Sequence, residues 1–169
     1  MADVVAVAGL PGAGKTTLAR LIEKMGYSYY SLGDVVRLDA QRRGYTPDKA
    51  AVNLRLEMGR RAVVNILLKN VKPGGKIVID GVRSLEEVEA IEEHLGPAFL
   101  IYVVASRRTR YQRLAARGRS DDPAVYSQFL LRDLRELRFG LADLLARADY
   151  IVVNEKPIEE LERELRGVL

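Results

Sequence analysis

The chain has 169 residues, 48% of them hydrophobic, enough for one well-buried core and too few for two ordinary domains, so a single domain over residues 1–169 is expected. With no cysteine and a single histidine, disulfides, thiolate-held zinc and a histidine-rich metal centre are excluded, which leaves oxygen-ligated magnesium as the expected metal. The net charge of +4 rests on arginine more than lysine, and arginine's planar fork suits bidentate phosphate contacts, so charge admits both a nucleotide enzyme and a nucleic-acid binder.

For most of these arginines the ordinary reading is a solvated face of ion pairs. The abundance of Arg and Glu, with few Asn and Gln, suits a hot environment. No basic N-terminal region leads into an apolar run, and no apolar stretch approaches membrane-spanning length. A cytoplasmic protein with no membrane partner is expected.

Val4–Ala8 is a short β-branched run that reads as a buried strand. It leads into Gly9, Leu10, Pro11, Gly12, Ala13, Gly14, Lys15 and Thr16, which satisfy G-x-x-x-x-G-K-[ST] in full, and Thr17 opens a helix through Lys24. Strand, glycine-rich loop and helix are the context this motif needs. Glycines let consecutive backbone N–H groups point at a phosphate chain, and the helix N-terminus adds donors and a favourable dipole. Lys15 is expected at the β- and γ-phosphates of ATP and Thr16 on Mg2+, with residues 9–17 holding the nucleotide.

Tyr27–Ser31 reads as a second strand, with Asp34 as N-cap of a helix over 35–43. Gly44–Pro47 turns the chain, and residues 48–70 form a long arginine-rich helical stretch interrupted at Gly59. Residues 32–72 are thus expected to be a helical flap over the acceptor side of the site. Lys76–Asp80 is an apolar strand ending in a carboxylate, where Asp80 orients magnesium through water or caps the following turn. In the helix that follows, Leu85, Val88 and Ile91 face inward and the glutamates outward, and His94 at its end needs no role beyond the helix dipole.

Ala98–Ala105 is apolar almost throughout, as a central parallel strand should be. An arginine-dense helix from Arg107 follows, then a loop over 117–123 read as a short lid. Asp121 or Asp122 and Pro123 are expected to start a helix over 125–139 that ends at Gly140. Tyr150–Val153 is the last strand and Ile158–Leu165 the closing amphipathic helix. Five strands alternating with helices predict an α/β fold, a doubly wound five-stranded parallel sheet with its chemistry at the carboxyl strand ends.

On these motifs the sequence resembles P-loop kinases of the adenylate kinase and dephospho-coenzyme A kinase types, and most of all the archaeal kinase-like UPF0200 family, over nearly the whole chain. Ser31-Leu-Gly-Asp-Val-Val-Arg37 is similar to the segment that holds the acceptor monophosphate, which implies roles for Asp34 and Arg37. Asp80-Gly-Val-Arg83 resembles the family's Asp-Gly-x-Pro-Arg with one residue fewer, making Arg83 a second clamp. Glu87 stands where those kinases have a glutamine against the acceptor base, although an ionised carboxylate cannot donate as an amide does. Arg119-Ser-Asp-Asp122 matches the lid motif, preceded by Arg117. A further phosphate-binding arginine is implied after the lid, either Arg132 or Arg135. The ending Ala148–Asn154 resembles the last strand of dephospho-coenzyme A kinases, which implies adenine contact by residues 154–157.

The expected activity is ATP- and Mg-dependent phosphoryl transfer to a nucleoside monophosphate or related nucleotide cofactor. The alternative is a nucleotide-switched ATPase or RNA-associated protein, supported by the basic stretch at 48–70 but lacking any interleaved aromatic platform. The absence of an Asn-Lys-x-Asp segment favours adenine over guanine at the donor site. Either a monomer or a homodimer is compatible with the leucine-rich late helices, whose leucines core packing explains equally well.

Overall fold

The computed structural model describes residues 2–119 and 121–169, so Ser120 of the expected lid lies outside the described residues. Strands β1 (Val4–Ala8), β2 (Ser28–Ser31), β3 (Ile77–Val82), β4 (Ala98–Val104) and β5 (Tyr150–Val153) form one sheet in the order β2-β3-β1-β4-β5. Every pair is parallel, with Val5 opposite both Val78 and Phe99. β1 is buried at every residue because it lies in the middle with helices on both faces. Its alternation divides the core: Val4, Ala6 and Ala8 pack on one side, Val5 and Val7 on the other. The fold is α/β and the carboxyl ends of all five strands share one edge.

The helices are α1 (Lys15–Lys24), α2 (Leu32–Arg43), α3 (Pro47–Met58), α4 (Ala62–Leu68), α5 (Leu85–Leu95), α6 (Arg107–Arg117), α7 (Tyr126–Glu136), α8 (Ala142–Arg147) and α9 (Ile158–Val168). α1 and α9 cover the face of Val5 and Val7, where Leu18, Ile22, Leu161 and Leu165 are buried. On the other face lie α2 to α5 and α8. The excursion between β2 and β3 is therefore three helices packed on the sheet through Leu32, Val36, Leu54 and Val64. Among the described residues, no helix is long and apolar enough to cross a membrane.

Several expected local features are corrected. Asp34 does not cap α2; Ser31 does, its Oγ accepting from the Asp34 N–H at 3.2 Å, because β2 runs directly into the helix. Pro123 does not start α7, which begins at Tyr126, and the carboxylates of Asp121 and Asp122 pair with Arg132 and Arg117 instead of capping. Glu87 does not face outward with the other glutamates of α5 but is fully buried.

The helix over 126–136 is also inverted in character. Phe129 is buried, but so is Glu136, with Arg132 and Asp133 on the same side of the helix, whereas Leu130, Leu131 and Leu134 are exposed. Core packing therefore does not account for those leucines. After Glu136 the chain makes a π turn over Leu137–Leu141, with Gly140 at φ 113. A Cβ there would approach Ser84 Cβ at 3.3 Å as well as adopting a disfavoured angle, so the break both turns the chain and lets it pass the N-cap of α5.

Candidate active site

Between Ala8 and Lys15 the loop runs over the carboxyl end of β1, with Gly12 at φ 80 and Gly14 at φ 97. A Cβ on Gly12 would meet the Arg110 carbonyl oxygen at 2.6 Å, and one on Gly14 would meet Asn154 Nδ2 at 2.0 Å. These glycines are thus required by the packing behind the loop as well as by access to phosphate. Arg110 donates to Pro11 O at 3.2 Å, and Asn154 Nδ2 donates to Ala13 O at 2.8 Å. Arg113 donates to Ala13 O at 3.3 Å and to Asn154 O at 2.8 Å. The carbonyls are held from behind, and the first-turn N–H groups of α1 are left for an anion.

Lys15 Nζ donates to Leu10 O at 3.2 Å across the loop. Burial pulls its ammonium down to about 8, against the opposing pull of Asp80. Thr16 donates its hydroxyl to Asp80 Oδ2 at 2.6 Å, and the Tyr29 hydroxyl donates to the same oxygen at 3.0 Å. Burial and Asp80 push the Tyr29 phenol up to about 12, so it remains a donor. The other carboxylate oxygen, Asp80 Oδ1, is buried without a hydrogen-bond partner. A hydroxyl and a carboxylate with an uncommitted oxygen fit magnesium, a hard cation that takes oxygen ligands.

Opposite the loop, one small cavity brings together Pro11, Gly12, Lys15, Thr16 and Asp80 with Arg37, Arg83, Arg117, Arg119 and Arg132. Arg37 comes from α2, Arg83 follows β3, Arg117 ends α6 and Arg132 lies on α7, so strand-end topology brings residues far apart in sequence to one point. Arg119 has its pKa lowered by burial and by the Arg117 and Arg37 guanidiniums, which marks the density of positive charge. A second recess of about 340 Å³ beside the loop is lined by Gly14, Thr17, Arg113 and Leu114 and shares Lys15, Thr16, Arg117 and Arg119.

Of the two post-lid arginines, Arg132 lines the cavity while Arg135 turns away to Asp48 at 2.7 Å. Asp34 pairs with Arg37 and stays largely exposed. Glu87 does not reach the cavity: its side chain pairs with Arg55 at 2.7 Å and accepts from the Arg83 N–H at 2.7 Å. The expected contact of Glu87 with an acceptor base is therefore corrected to support of Arg83. Asn154 is likewise buried behind the loop with its amide committed to Ala13, so its expected place against adenine becomes a strut for the loop.

Glu136 and Tyr29 carry no site expectation from sequence, and Arg110 and Arg113 are read there only as part of the arginine-dense helix. Glu136 is 4% exposed, lines the central cavity and pairs with Arg83 at 2.6 Å. Burial would raise its carboxyl, but Arg83, Arg135, Lys15 and Arg132 outweigh burial and hold it at about 2. A signal for it exists in the spacing, since Arg132, Asp133 and Glu136 fall three, four and seven residues after the buried Phe129 and share its face.

The comparisons with known proteins agree with the fold. Residues 5–127 match the family described as AAA domain. Shikimate kinase from Bacteroides thetaiotaomicron shares the fold with a TM-score of 0.67 at 20% identity, over 99% of this chain and 98% of that one. The fold and the loop geometry define a P-loop kinase-like α/β protein. A UPF0200 protein of Pyrobaculum aerophilum is 74% identical over 100% of this chain and 98% of its own length. Another, from Hyperthermus butylicus, is 41% identical over 98% of this chain and 92% of its own. The chain belongs to the UPF0200 family.

Proposed function

We propose that this protein transfers the γ-phosphoryl group of ATP, with magnesium, to a small acceptor that itself carries phosphate, in the class of nucleoside monophosphates and related nucleotide cofactors. The observation that carries this reading is the single cavity in which Lys15, Thr16 and Asp80 face Arg37, Arg83, Arg117, Arg119 and Arg132. Lysine and loop N–H groups are the partners of the donor's phosphates, and five arginines exceed what one triphosphate tail needs. Phosphoryl transfer asks for positioning and charge more than for covalent chemistry. Thr16 and Asp80 would hold magnesium, which when bound neutralises charge between the β- and γ-phosphates. Arg37 and Arg83 would orient the acceptor, and Arg117, Arg119 and Arg132 would balance charge on the migrating group. In this reading residues 32–72 form the acceptor-side flap and residues 117–123 the lid that excludes water.

The RNA-associated alternative is weakened, because the three arginines of residues 48–70 are each paired with glutamates of α5. Arg55 pairs with Glu87, Arg60 with Glu86, and Arg61 with both Glu89 and Glu93. The test is ADP formation from magnesium ATP with AMP, CMP, UMP, GMP, dCMP, dTMP or dephospho-coenzyme A, the phosphorylated product being separated by chromatography. One acceptor is expected to accelerate ADP release, and Arg83→Ala to abolish that acceleration while ATP still binds. Slow hydrolysis independent of every acceptor would overturn the kinase reading.

A further inference from the structure

Arg83 is held at two points before any acceptor arrives. Its backbone N–H donates to Glu87 Oε2 at 2.7 Å, and its Nε donates to Glu136 Oε2 at 2.6 Å. Both carboxylates continue into the acceptor-side excursion by a second arginine. Glu87 pairs with Arg55 of α3 at 2.7 Å, and Glu136 lies 3.4 Å from Arg135, which holds Asp48 of α3 at 2.7 Å. The ring Asp48, Arg135, Glu136, Arg83, Glu87, Arg55 therefore begins and ends on one helix. Arg83 and Glu136 are the members that line the cavity, beside Lys15 and Arg132.

A carboxylate in the middle of an arginine clamp is unexpected if the clamp's task is to attract phosphate. It lowers the local positive charge, and it takes the Nε donor of one of the two guanidinium edges that a bidentate phosphate contact could use. An anion built into the protein does have one consequence: it keeps buried guanidiniums paired, and so in place, when the cavity is empty. We infer that Glu136 is a positioning residue that stands in for the acceptor's phosphate, holding Arg83 in the empty site and yielding it when the acceptor binds. When Arg83 turns to the acceptor, Glu136 is left to Arg135, and the pairing of Arg135 with Asp48 carries the event to α3. The cost of displacing Glu136 makes the clamp bind phosphate more weakly than its arginine count suggests, so that a lone phosphate ion is a poor competitor of a complete acceptor.

The inference rests on the kinase reading for the identity of the acceptor, but its test uses inorganic phosphate. The protein is saturated with magnesium and a non-hydrolysable ATP analogue, which fills the loop, and phosphate is titrated calorimetrically. Glu136→Gln is expected to bind phosphate about tenfold more tightly than the wild type, a gain that loss of a merely structural residue would not produce. Adding Arg83→Ala to that variant is expected to remove the gain. Equal or weaker phosphate binding by folded Glu136→Gln overturns the inference even where an acceptor is phosphorylated. Should Glu136→Gln not fold, Glu136→Asp keeps the charge and shortens the reach to Arg83, and the expected gain is several-fold; unchanged affinity overturns it. A tenfold gain in a protein that phosphorylates nothing in the acceptor panel upholds the stand-in and removes the kinase reading.

Discussion

Lys15 and Glu136 are both shifted downward, but burial disfavours the charged form at Lys15 while neighbouring cations favour it at Glu136. For Lys15 burial wins, and the ammonium falls from 10.5 to about 8. Bound phosphates favour its charged form, so ATP binding near pH 8 should draw a proton onto the lysine. Calorimetry at pH 8 in two buffers of different ionisation heat is expected to show uptake of roughly half a proton, with almost none at pH 6.5. Lys15→Arg should show none at either pH, and a wild type without buffer dependence at pH 8 would refute the argument. The stability effect follows the same sign: between pH 8 and 10.5 the unfolded chain binds more protons, so the burial penalty of Lys15 is present at neutral pH and is relieved as pH rises. At Glu136 the surrounding cations win, and the folded value of about 2 lies below the ordinary 4.5. Its contribution, about 3 kcal/mol, is present above pH 4.5 and is lost as pH falls toward 2. Urea midpoints of the wild type and Glu136→Gln should therefore differ by a constant amount above pH 5 and converge in acid.

At the scale of elements, the sequence made the strands and the phosphate loop readable because both write their rules locally. An apolar run before a complete loop motif admits few structures, and β1 and α1 formed as the spacing predicts. α7 was hard to read because its burial is set by partners. Arg110 on α6 is 5% exposed, donates twice to Asp133 at 2.8 Å and also reaches Pro11 O, so this ion pair, with Phe129 packed against Tyr111, ties α7 to α6 and the loop without any leucine of α7. Period alone assigns leucines inward, whereas here the paired charges take that side. Arg110→Ala is expected to cost about 3–5 kcal/mol in chemical denaturation, because it strands Asp133 beside the loop. Arg110→Met with Asp133→Leu should recover most of that loss, since the pair's own net worth is small. A double variant as unstable as the single one would show that the charges themselves, and not the unpaired remainder, hold α7.

Over the whole molecule, the alternation of strands and helices discloses a parallel sheet, but the closure of the excursion onto α5 is not legible, because it involves pairs 26 to 32 residues apart between α3 or its following turn and α5. Those pairs look equivalent in sequence and are physically different. Arg55 and Glu87 are buried at 8% and 0% side-chain exposure, with Arg55 also stacked 4.3 Å from the centre of the Phe139 ring, whereas Arg61 and its partners Glu89 and Glu93 face solvent. Exposed pairs are screened and contribute about 0–1 kcal/mol, while removing one member of a buried pair costs about 3–5 kcal/mol. Arg61→Ala is therefore expected to shift a urea midpoint only slightly, and less still in high salt. Arg55→Ala should lower stability several-fold more, with little salt dependence, and should leave Glu87, which accepts from the Arg83 N–H, without its partner. In the proposed reading its second effect belongs to function: KM for the acceptor should rise in Arg55→Ala while ATP affinity, assigned there to Lys15 and the loop, should stay near the wild-type value. Equal losses of acceptor and ATP binding would mean that Arg55 supports the sheet as a whole, and equal costs for Arg55→Ala and Arg61→Ala would mean that burial does not separate the two ion pairs.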